Sequence, residues 1–424
     1  MSERCLLVFL IDALGHRVAA ESRAFAFLPF GGGPVASVCG YSSACIPSLL
    51  TGKLPAEHGH WAMYLRDPHH SVFRRYRALA AVVSGLLGRD YLARRLIARG
   101  LRASGIRGYF SLYQIPLTLL PQFDLCEKDD PFAPGGLAPW ETFFDAAQRL
   151  GLPWRGWHWR TPESERRRLF AEALDAGAAR LLFFYTPLFD AVAHDAGPHS
   201  APARACLEDL AAFIVEMLAR AARRHSEVRL LVCGDHGMAE VTGVHDLLTP
   251  LSALRSRMPQ DFLFFADSTM IRAWYFREGA RAAVEALLGA SSAGRLLGDD
   301  ECRRLGVFFP DRRYGETVFL AHPGIMLVPS FMGTAPLRAM HGYHPEHEDS
   351  STVLLANYAH SPVESILEIG PLITSEVHAM VGAPAARANA LAGAQRSAGP
   401  APGAGAGRGA GADAGGASGR EVRR

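Results

Sequence analysis

The stretch Gly40-Tyr-Ser-Ser-Ala-Cys-Ile-Pro-Ser-Leu-Leu-Thr-Gly-Lys-Leu-Pro-Ala-Glu-His-Gly59 opens with two adjacent hydroxyls, Ser42 and Ser43, and runs into an apolar helical segment through Ile46, Leu49 and Leu50. Thr51-Gly52 predicts where that helix stops, because glycine tolerates the left-handed backbone that closes one. A hydroxyl at a helix start sits among unpaired backbone N–H groups at the positive end of the helix dipole, a place that favours an anion. It suits an attacking alkoxide and a phosphate oxygen alike. Taken alone, such a serine is an ordinary N-cap, and residues elsewhere in the chain have to decide the matter.

Upstream, Leu6 to Ile11 is a continuous apolar run, as expected of a parallel strand covered on both faces, with Asp12-Ala-Leu-Gly15 as its turn. Gly31-Gly-Gly33 reads as a loop, and Val35 to Val38 as a second strand leading into Ser42. Downstream, Arg180 to Tyr185 and Val228 to Cys233 are further buried strands, the latter ending at Gly234-Asp235-His236-Gly237. Helices are expected over 140–150, 162–178 and 201–224. Residues 262–320 predict a small α+β lobe containing Phe262-Leu-Phe-Phe, Met270 to Phe276, a helix over 280–288 and Gly306-Val-Phe-Phe. Gly324 to Pro329 and Thr352 to Leu355 are expected to return to the core.

Residues 66–150 stand apart as an insertion. Arg66 to Gly108 reads as helical and carries ten arginines against two aspartates, which fits either a solvated helical face or a basic surface for a membrane or an anionic partner. Residues 109–140, rich in Pro, Phe and Leu, read as loop. Beyond Gly382 the chain is Ala/Gly/Pro-rich and nearly free of large apolar residues, so 382–424 is expected to be a disordered tail after a catalytic domain over 1–381.

The composition is that of a globular protein: 49% hydrophobic and 20% charged residues in a chain of 424, long enough for one large α/β domain with insertions. A net charge of +2 gives no argument for a nucleic acid partner. The seven cysteines are scattered and odd in number, with no CxxC pair, which argues against a disulfide framework and for a reducing compartment. Cys5 to Ile11 is too short for a signal peptide and ends in Asp12, and no run approaches the roughly 18 apolar residues of a membrane span. A cytoplasmic location is expected.

Metal-capable side chains recur where apolar strands end. Asp12 follows the first strand, Asp235-His236 follow another, and Asp190 and His194 follow Leu181 to Tyr185 on a turn that lets both face one point. In open parallel sheets the loops at the carboxyl ends of strands converge on the ligand site. Each residue alone has a plain structural reading: a cap, a turn, a satisfied core histidine. Three such groups at three strand ends point to a shared site.

Asp12 after the first strand, Ser42 nine residues before Thr51-Gly52, and Pro55-x-x-His58-Gly59 resemble the alkaline phosphatase superfamily. Asp190-x-x-x-His194 with Gly197-Pro198, Gly234-Asp-His-Gly-Met238 and His341-Gly-Tyr343 resemble its type I phosphodiesterase/nucleotide pyrophosphatase branch, over residues 5 to 360. The resemblance implies an α/β three-layer sandwich with a mostly parallel central sheet, plus the inserted helical region and small lobe. It also implies two divalent cations, one held by Asp12, Asp235, His236 and the Ser42 oxygen, the other by Asp190, His194 and His341. Mixed imidazole and carboxylate donors suit zinc and admit manganese or iron. Two ions about 4 Å apart stabilise the entering and leaving oxygens of an in-line displacement. The implied reaction is hydrolysis of a phosphodiester or pyrophosphate bond in a small nucleotide-like substrate through a Ser42 phosphoenzyme. A phosphomonoesterase or phosphotransferase would use the same site. A non-catalytic binding protein would lack a ligand or the nucleophile, and all are present.

Three departures qualify the match. The branch's usual nucleophile is threonine with proline two residues on, whereas here Ser42 is followed by Ser43 and Ala44, which leaves Ser43 as a competitor. The asparagine that helps bind phosphate or nucleotide there has no counterpart. Cys45-x-Pro47 invites a sulfatase reading, but Leu49 stands where that motif requires arginine, so Cys45 reads as a small buried apolar residue. Trp61 and Tyr64 fit a stacking wall or core packing, Asp267 to Met270 a substrate contact or the start of a strand, and His344 and His347 a solvated loop rather than a further metal site.

Overall fold

The computed structural model describes residues 4–78, 82, 90–254 and 258–382. At its centre, β1 (Arg4–Ile11), β2 (Phe30–Val35), β3 (Trp154–Arg155), β4 (Leu181–Thr186), β5 (Glu227–Cys233) and β6 (Thr352–Ala356) form one sheet in the order β2-β6-β5-β1-β4-β3. β1 pairs in parallel with β4 and β5, and β4 in parallel with β3. Only β6 runs against its neighbours.

From Cys5 to Ile11 every side chain of β1 is at most 1% exposed, so both faces of the sheet must be covered. The strand period of two divides them. Leu6, Val8 and Leu10 pack against Cys45, Ile46, Leu49 and Leu50 of helix α1 (Ser42–Thr51) and against the helix Ile369–Val381. Cys5, Leu7, Phe9 and Ile11 pack against the helices Glu163–Ala176 and Ala201–Ala222. The result is a three-layer α/β/α sandwich. Fully burying one such side chain contributes about 1.5–3 kcal/mol, and these two clusters hold the sheet.

A third cluster joins the lobe to the insertion. In the lobe, Phe262–Ala266, Met270–Tyr275, Thr317–Ala321 and Gly294–Leu297 form an antiparallel sheet beside the helix Ala280–Gly289. In the insertion, helix α2 (Asp90–Ala103) buries Ala93, Ile97 and Leu101, one face at four-residue spacing, and leaves Arg95, Arg99 and Arg102 exposed. Arg95, Arg99 and Arg102 therefore form a solvated face, while Arg94 is half-buried. The rest of the described 66–108 stretch is mainly turn, and the hairpin Tyr64–Arg66 with Phe123–Leu125 borders it.

Four elements differ from expectation. Gly31-Gly-Gly33 lies within β2 rather than in a loop. Gly31 (φ +84°) leaves no room for a Cβ, which would stand 2.1 Å from the Leu354 carbonyl oxygen, where the β6 ladder shifts register. Val35–Val38 consequently runs out of the strand, with Ala36 bridging to Ser365. Ile325–Leu327 pairs with Gly243–His245 in a separate two-stranded ladder, not in the central sheet. Gly306-Val-Phe-Phe is not a strand: Gly306 (φ +68°) closes the helix Asp299–Arg304, and Val307 N–H bonds the Cys302 carbonyl. The expected tail falls almost wholly on residues 383–424, which lie outside the described residues.

Candidate metal centre

Elements distant in sequence bring the expected residues to one end of the sheet. Asp12 follows β1, Asp235 and His236 follow β5, and Ser42 is the first residue of α1. His341 follows the short strand Ala339–Met340. Asp190 and His194 sit on helix α3 (Leu188–Ala196) rather than on a turn, and their spacing of four puts them on one face. The side chains fall into two triads, Asp12/Asp235/His236 and Asp190/His194/His341, each with donor atoms all within 4.8 Å of one another.

Ser42 Oγ adjoins the first triad, 3.0 Å from His236 Nε2 and 3.3 Å from Asp12 Oδ1. The His236 ring is fixed from behind, since its Nδ1–H donates to the Gly237 carbonyl at 2.9 Å and leaves the Nε2 lone pair facing Ser42. His194 is held the same way, with Nδ1–H donating to the Ala339 carbonyl at 2.8 Å. The rings of His236 and His341 stack with centroids 4.0 Å apart, which places the two triads side by side. Asp235 Oδ1 accepts the backbone N–H groups of Ala13 and His236. Ala13 has a left-handed backbone (φ +62°), local strain at the site of the kind that persists only where surroundings impose it.

The electrostatics ask for cations. Burial, then the charges of Asp235 and Asp190, push the Asp12 carboxyl well above its ordinary range, against hydrogen bonds from Tyr185 and Ser42. Burial raises Asp235 as well, with His236 and the Ala13 N–H opposing. Burial and the neighbouring His236 and His194 hold His341 well below the usual imidazole value. Asp190 Oδ1, Asp235 Oδ2 and His341 Nδ1 are buried without a hydrogen-bond partner. Leaving such groups unmet costs about 1–3 kcal/mol each, more when charged. Three crowded carboxylates, two of them with an unpartnered oxygen, beside three imidazoles are a donor set that divalent cations fit.

A cavity of about 440 Å³ opens onto Ser42 and both triads. Ser43 also lines it, but the hydroxyl that hydrogen-bonds a triad is that of Ser42. Trp61 and Tyr64, each 1% exposed, belong to the core; Trp61 packs on Phe309 and Tyr314, Tyr64 on Phe73 and Phe265. Asp267 and Ser268 line the cavity, and Met270 begins a strand, so both readings of that segment hold. His344 and His347 sit in a loop among acidic groups, His344 3.5 Å from Glu301. Cys45 is fully buried.

Sequence reasoning missed Tyr185, whose hydroxyl donates to Asp12 Oδ2 at 2.6 Å. Its place beside Asp12 at the end of a neighbouring strand was the available signal. It also missed Tyr109, Tyr113, Glu127, Phe132 and Trp159, which form a wall of the cavity. No local pattern marks them, because only the tertiary fold brings that wall to the site.

A three-layer α/β sandwich with acidic and imidazole side chains gathered at the carboxyl ends of its parallel strands defines the alkaline phosphatase superfamily. Within it the chain belongs to the type I phosphodiesterase/nucleotide pyrophosphatase family, whose model matches residues 36–343. The chain is a hydrolase of that family, which is metal-dependent. Among solved structures it resembles murine ectonucleotide pyrophosphatase/phosphodiesterase 5, at 16% identity and a TM-score of 0.62, with 90% of this chain and 96% of that one covered. An inactive form of the same mouse protein in complex with AMP gives 16% identity, a TM-score of 0.63 and the same coverage. The human counterpart gives 12% identity and 0.61, covering 90% and 96%. No curated protein sequence matches the chain.

Proposed function

We propose that the chain hydrolyses phosphodiester or pyrophosphate bonds of small nucleotide-like substrates, with Ser42 as nucleophile and two divalent cations, zinc in the first instance, held by the two triads. The observation that carries this reading is the position of Ser42 Oγ, hydrogen-bonded to His236 and Asp12 on a cavity that Asp190, with its unpartnered Oδ1, also lines. The AMP complex of the mouse relative supports a nucleotide as the substrate class. Asp12, Asp235 and His236 with Ser42 would hold one ion, and Asp190, His194 and His341 the other. Bound there, the ions supply Lewis acidity to the phosphoryl oxygens and lower the pKa of a coordinated hydroxyl or water.

The chain's own residues do the rest. With an ion held there His236 Nε2 would be committed to it, so Asp12, whose Oδ1 lies 3.3 Å from Ser42 Oγ, is the acceptor through which the Ser42 proton can leave as Oγ attacks phosphorus. The attack forms the Ser42–phosphorus bond and breaks the bond to the leaving alcohol or phosphate. The N-terminus of α1 faces the phosphoryl group with its opening N–H groups and positive dipole end. Water then releases phosphate, or a phosphate monoester, and restores Ser42. Seven free cysteines, five of them buried, favour a reducing, cytoplasmic setting.

Ser42→Ala is expected to abolish turnover of bis-p-nitrophenyl phosphate while zinc content by elemental analysis stays near that of the unaltered protein. Acid-quenched labelling with a radiolabelled diester should mark Ser42. Full activity in Ser42→Ala would end the proposal. A Ser43→Ala control separates the two hydroxyls, and p-nitrophenyl phosphate tests monoesterase activity.

A further inference from the structure

The cavity receives an anionic diester, yet no lysine or arginine lines it among the described residues. Besides any cations, neutral donors must meet the substrate's oxygens. Four tyrosines line this space. Tyr185 donates to Asp12, and Tyr41 is tied to Thr269, whose Oγ1 lies 2.7 Å from the phenol oxygen and whose N–H donates to it. Tyr109 and Tyr113 remain, and their hydroxyls meet only each other among the hydrogen bonds of the described residues, at a long 3.4 Å. Tyr109 is 43% exposed, yet desolvation around the two phenol groups raises both above the ordinary value, and Asp190 and Asp12 add to the rise at Tyr109. Both therefore stay protonated donors, and they line the same cavity as Ser42, Asp12 and Asp190.

The loop carrying them is held against its preference. Tyr113 has a left-handed backbone (φ +42°), uncommon for a large side chain and costly to maintain. Arg94 of α2 spans the bend, one guanidinium nitrogen donating to the Leu112 carbonyl at 3.0 Å and another to the Ile115 carbonyl at 2.6 Å. Burial lowers the Arg94 pKa, so this half-buried cation gives up water to clamp two carbonyls. Tyr64 O–H to the Ser111 carbonyl (2.6 Å) and Gln114 N–H to the Phe331 carbonyl (2.7 Å) anchor the rest of the loop.

We propose that Tyr109 and Tyr113 hydrogen-bond the non-bridging oxygens of the substrate's phosphodiester group, and that Arg94 is the positioning residue that holds their loop in place. This deepens the Ser42 reading and rests on it. A lost hydrogen bond to a charged oxygen corresponds to roughly ten- to hundredfold.

The test uses the zinc-loaded full chain and inorganic phosphate as probe, with calorimetry for affinity. Tyr109→Phe and Tyr113→Phe should each weaken phosphate binding roughly ten- to hundredfold. They should lower kcat/KM by a similar factor on bis-p-nitrophenyl phosphate and on the p-nitrophenyl ester of thymidine monophosphate, with zinc content unchanged. Unchanged phosphate affinity, or losses that differ between the two diesters, would overturn the proposal, since contacts to the leaving group alone would behave that way. If the unaltered protein turns over neither diester, the Ser42 reading fails while the phosphate measurement still decides the tyrosines. Arg94→Ala should reproduce the loss. Arg94→Lys, which keeps the charge but not the planar fork, should fall between, and phosphate affinity equal to the unaltered protein's in both would remove Arg94 from the proposal.

Discussion

Tyr185 shows how much of the site depends on groups that are not themselves donors to a cation. Its O–H to Asp12 Oδ2 at 2.6 Å orients a carboxylate whose other oxygen faces Ser42 and His236. Groups that fix a ligand from behind typically account for ten- to hundredfold in metal affinity or activity. Tyr185→Phe removes one oxygen and little volume, so zinc affinity by competition titration should fall by about that factor with the fold retained. Affinity equal to that of the unaltered protein would show that Asp12 is oriented by its neighbours alone. That Asp12, Asp235 and His236 would cluster was legible from the sequence because strand ends converge in a parallel sheet. Tyr185 was not, because a tyrosine at the end of an apolar run looks the same whether or not its hydroxyl has a partner.

Helix α1 carries Ser42, the proposed nucleophile, and its two ends are built differently. At the C-terminus Gly52 (φ +68°) donates its N–H to the Ser48 carbonyl, and a Cβ there would stand 2.8 Å from Pro371 Cγ and 2.9 Å from the Leu367 carbonyl oxygen. Gly52→Ala combines left-handed strain with overpacking, so denaturant unfolding should show a loss of about 2 kcal/mol or more. Just beyond, His58 Nε2 lies 2.9 Å from Ser48 Oγ, and His58 Nδ1 accepts the His60 N–H. Burial, then the neighbouring His60, holds the His58 pKa down to about 3, and burial holds His60 at about 4. An unfolded histidine takes its proton near 6.5, so between there and about 3 the unfolded chain binds a proton that folded His58 refuses. The contribution is full above 6.5 and declines as pH falls, at ~1.4 kcal/mol per unit for one group. His58→Gln should therefore flatten the dependence of unfolding free energy on pH between 6 and about 4.5 by close to one proton. An unchanged slope would place the acid sensitivity elsewhere. The extent of α1 was readable from Ser42 and Gly52; β2 was not, because Gly31-Gly-Gly33 follows loop statistics until the bulged β6 edge gives those glycines a reason.

Across the whole molecule, the proposed donors come from five chain segments: the end of β1, the start of α1, helix α3, the end of β5 and the loop at His341. Strands β1 and β4 were legible because a strand buried on both faces needs an unbroken apolar run, and β5 because Leu230 to Cys233 supplies a shorter one. The insertion and the cavity wall were opaque because their residues matter only through contacts such as Arg94 to Leu112 and Ile115, and the position of that loop follows from three-dimensional packing. Cations bound by such scattered groups would act as cross-links as well as reagents. They would also neutralise Asp12 and Asp235, whose burial beside neighbouring carboxylates otherwise opposes the folded state. Binding to the folded chain alone adds stability that grows with the logarithm of free ion over dissociation constant, ~4 kcal/mol at a thousandfold excess. Exhaustive chelation should therefore abolish turnover and shift the denaturant midpoint downward, with both restored by zinc. Manganese should restore the midpoint if the shared carboxylate and imidazole donors set affinity. A His341→Ala variant, with one donor missing from the second triad, should show a smaller shift on chelation than the unaltered protein. A midpoint indifferent to chelation, with activity intact, would mean that the two triads hold no ion.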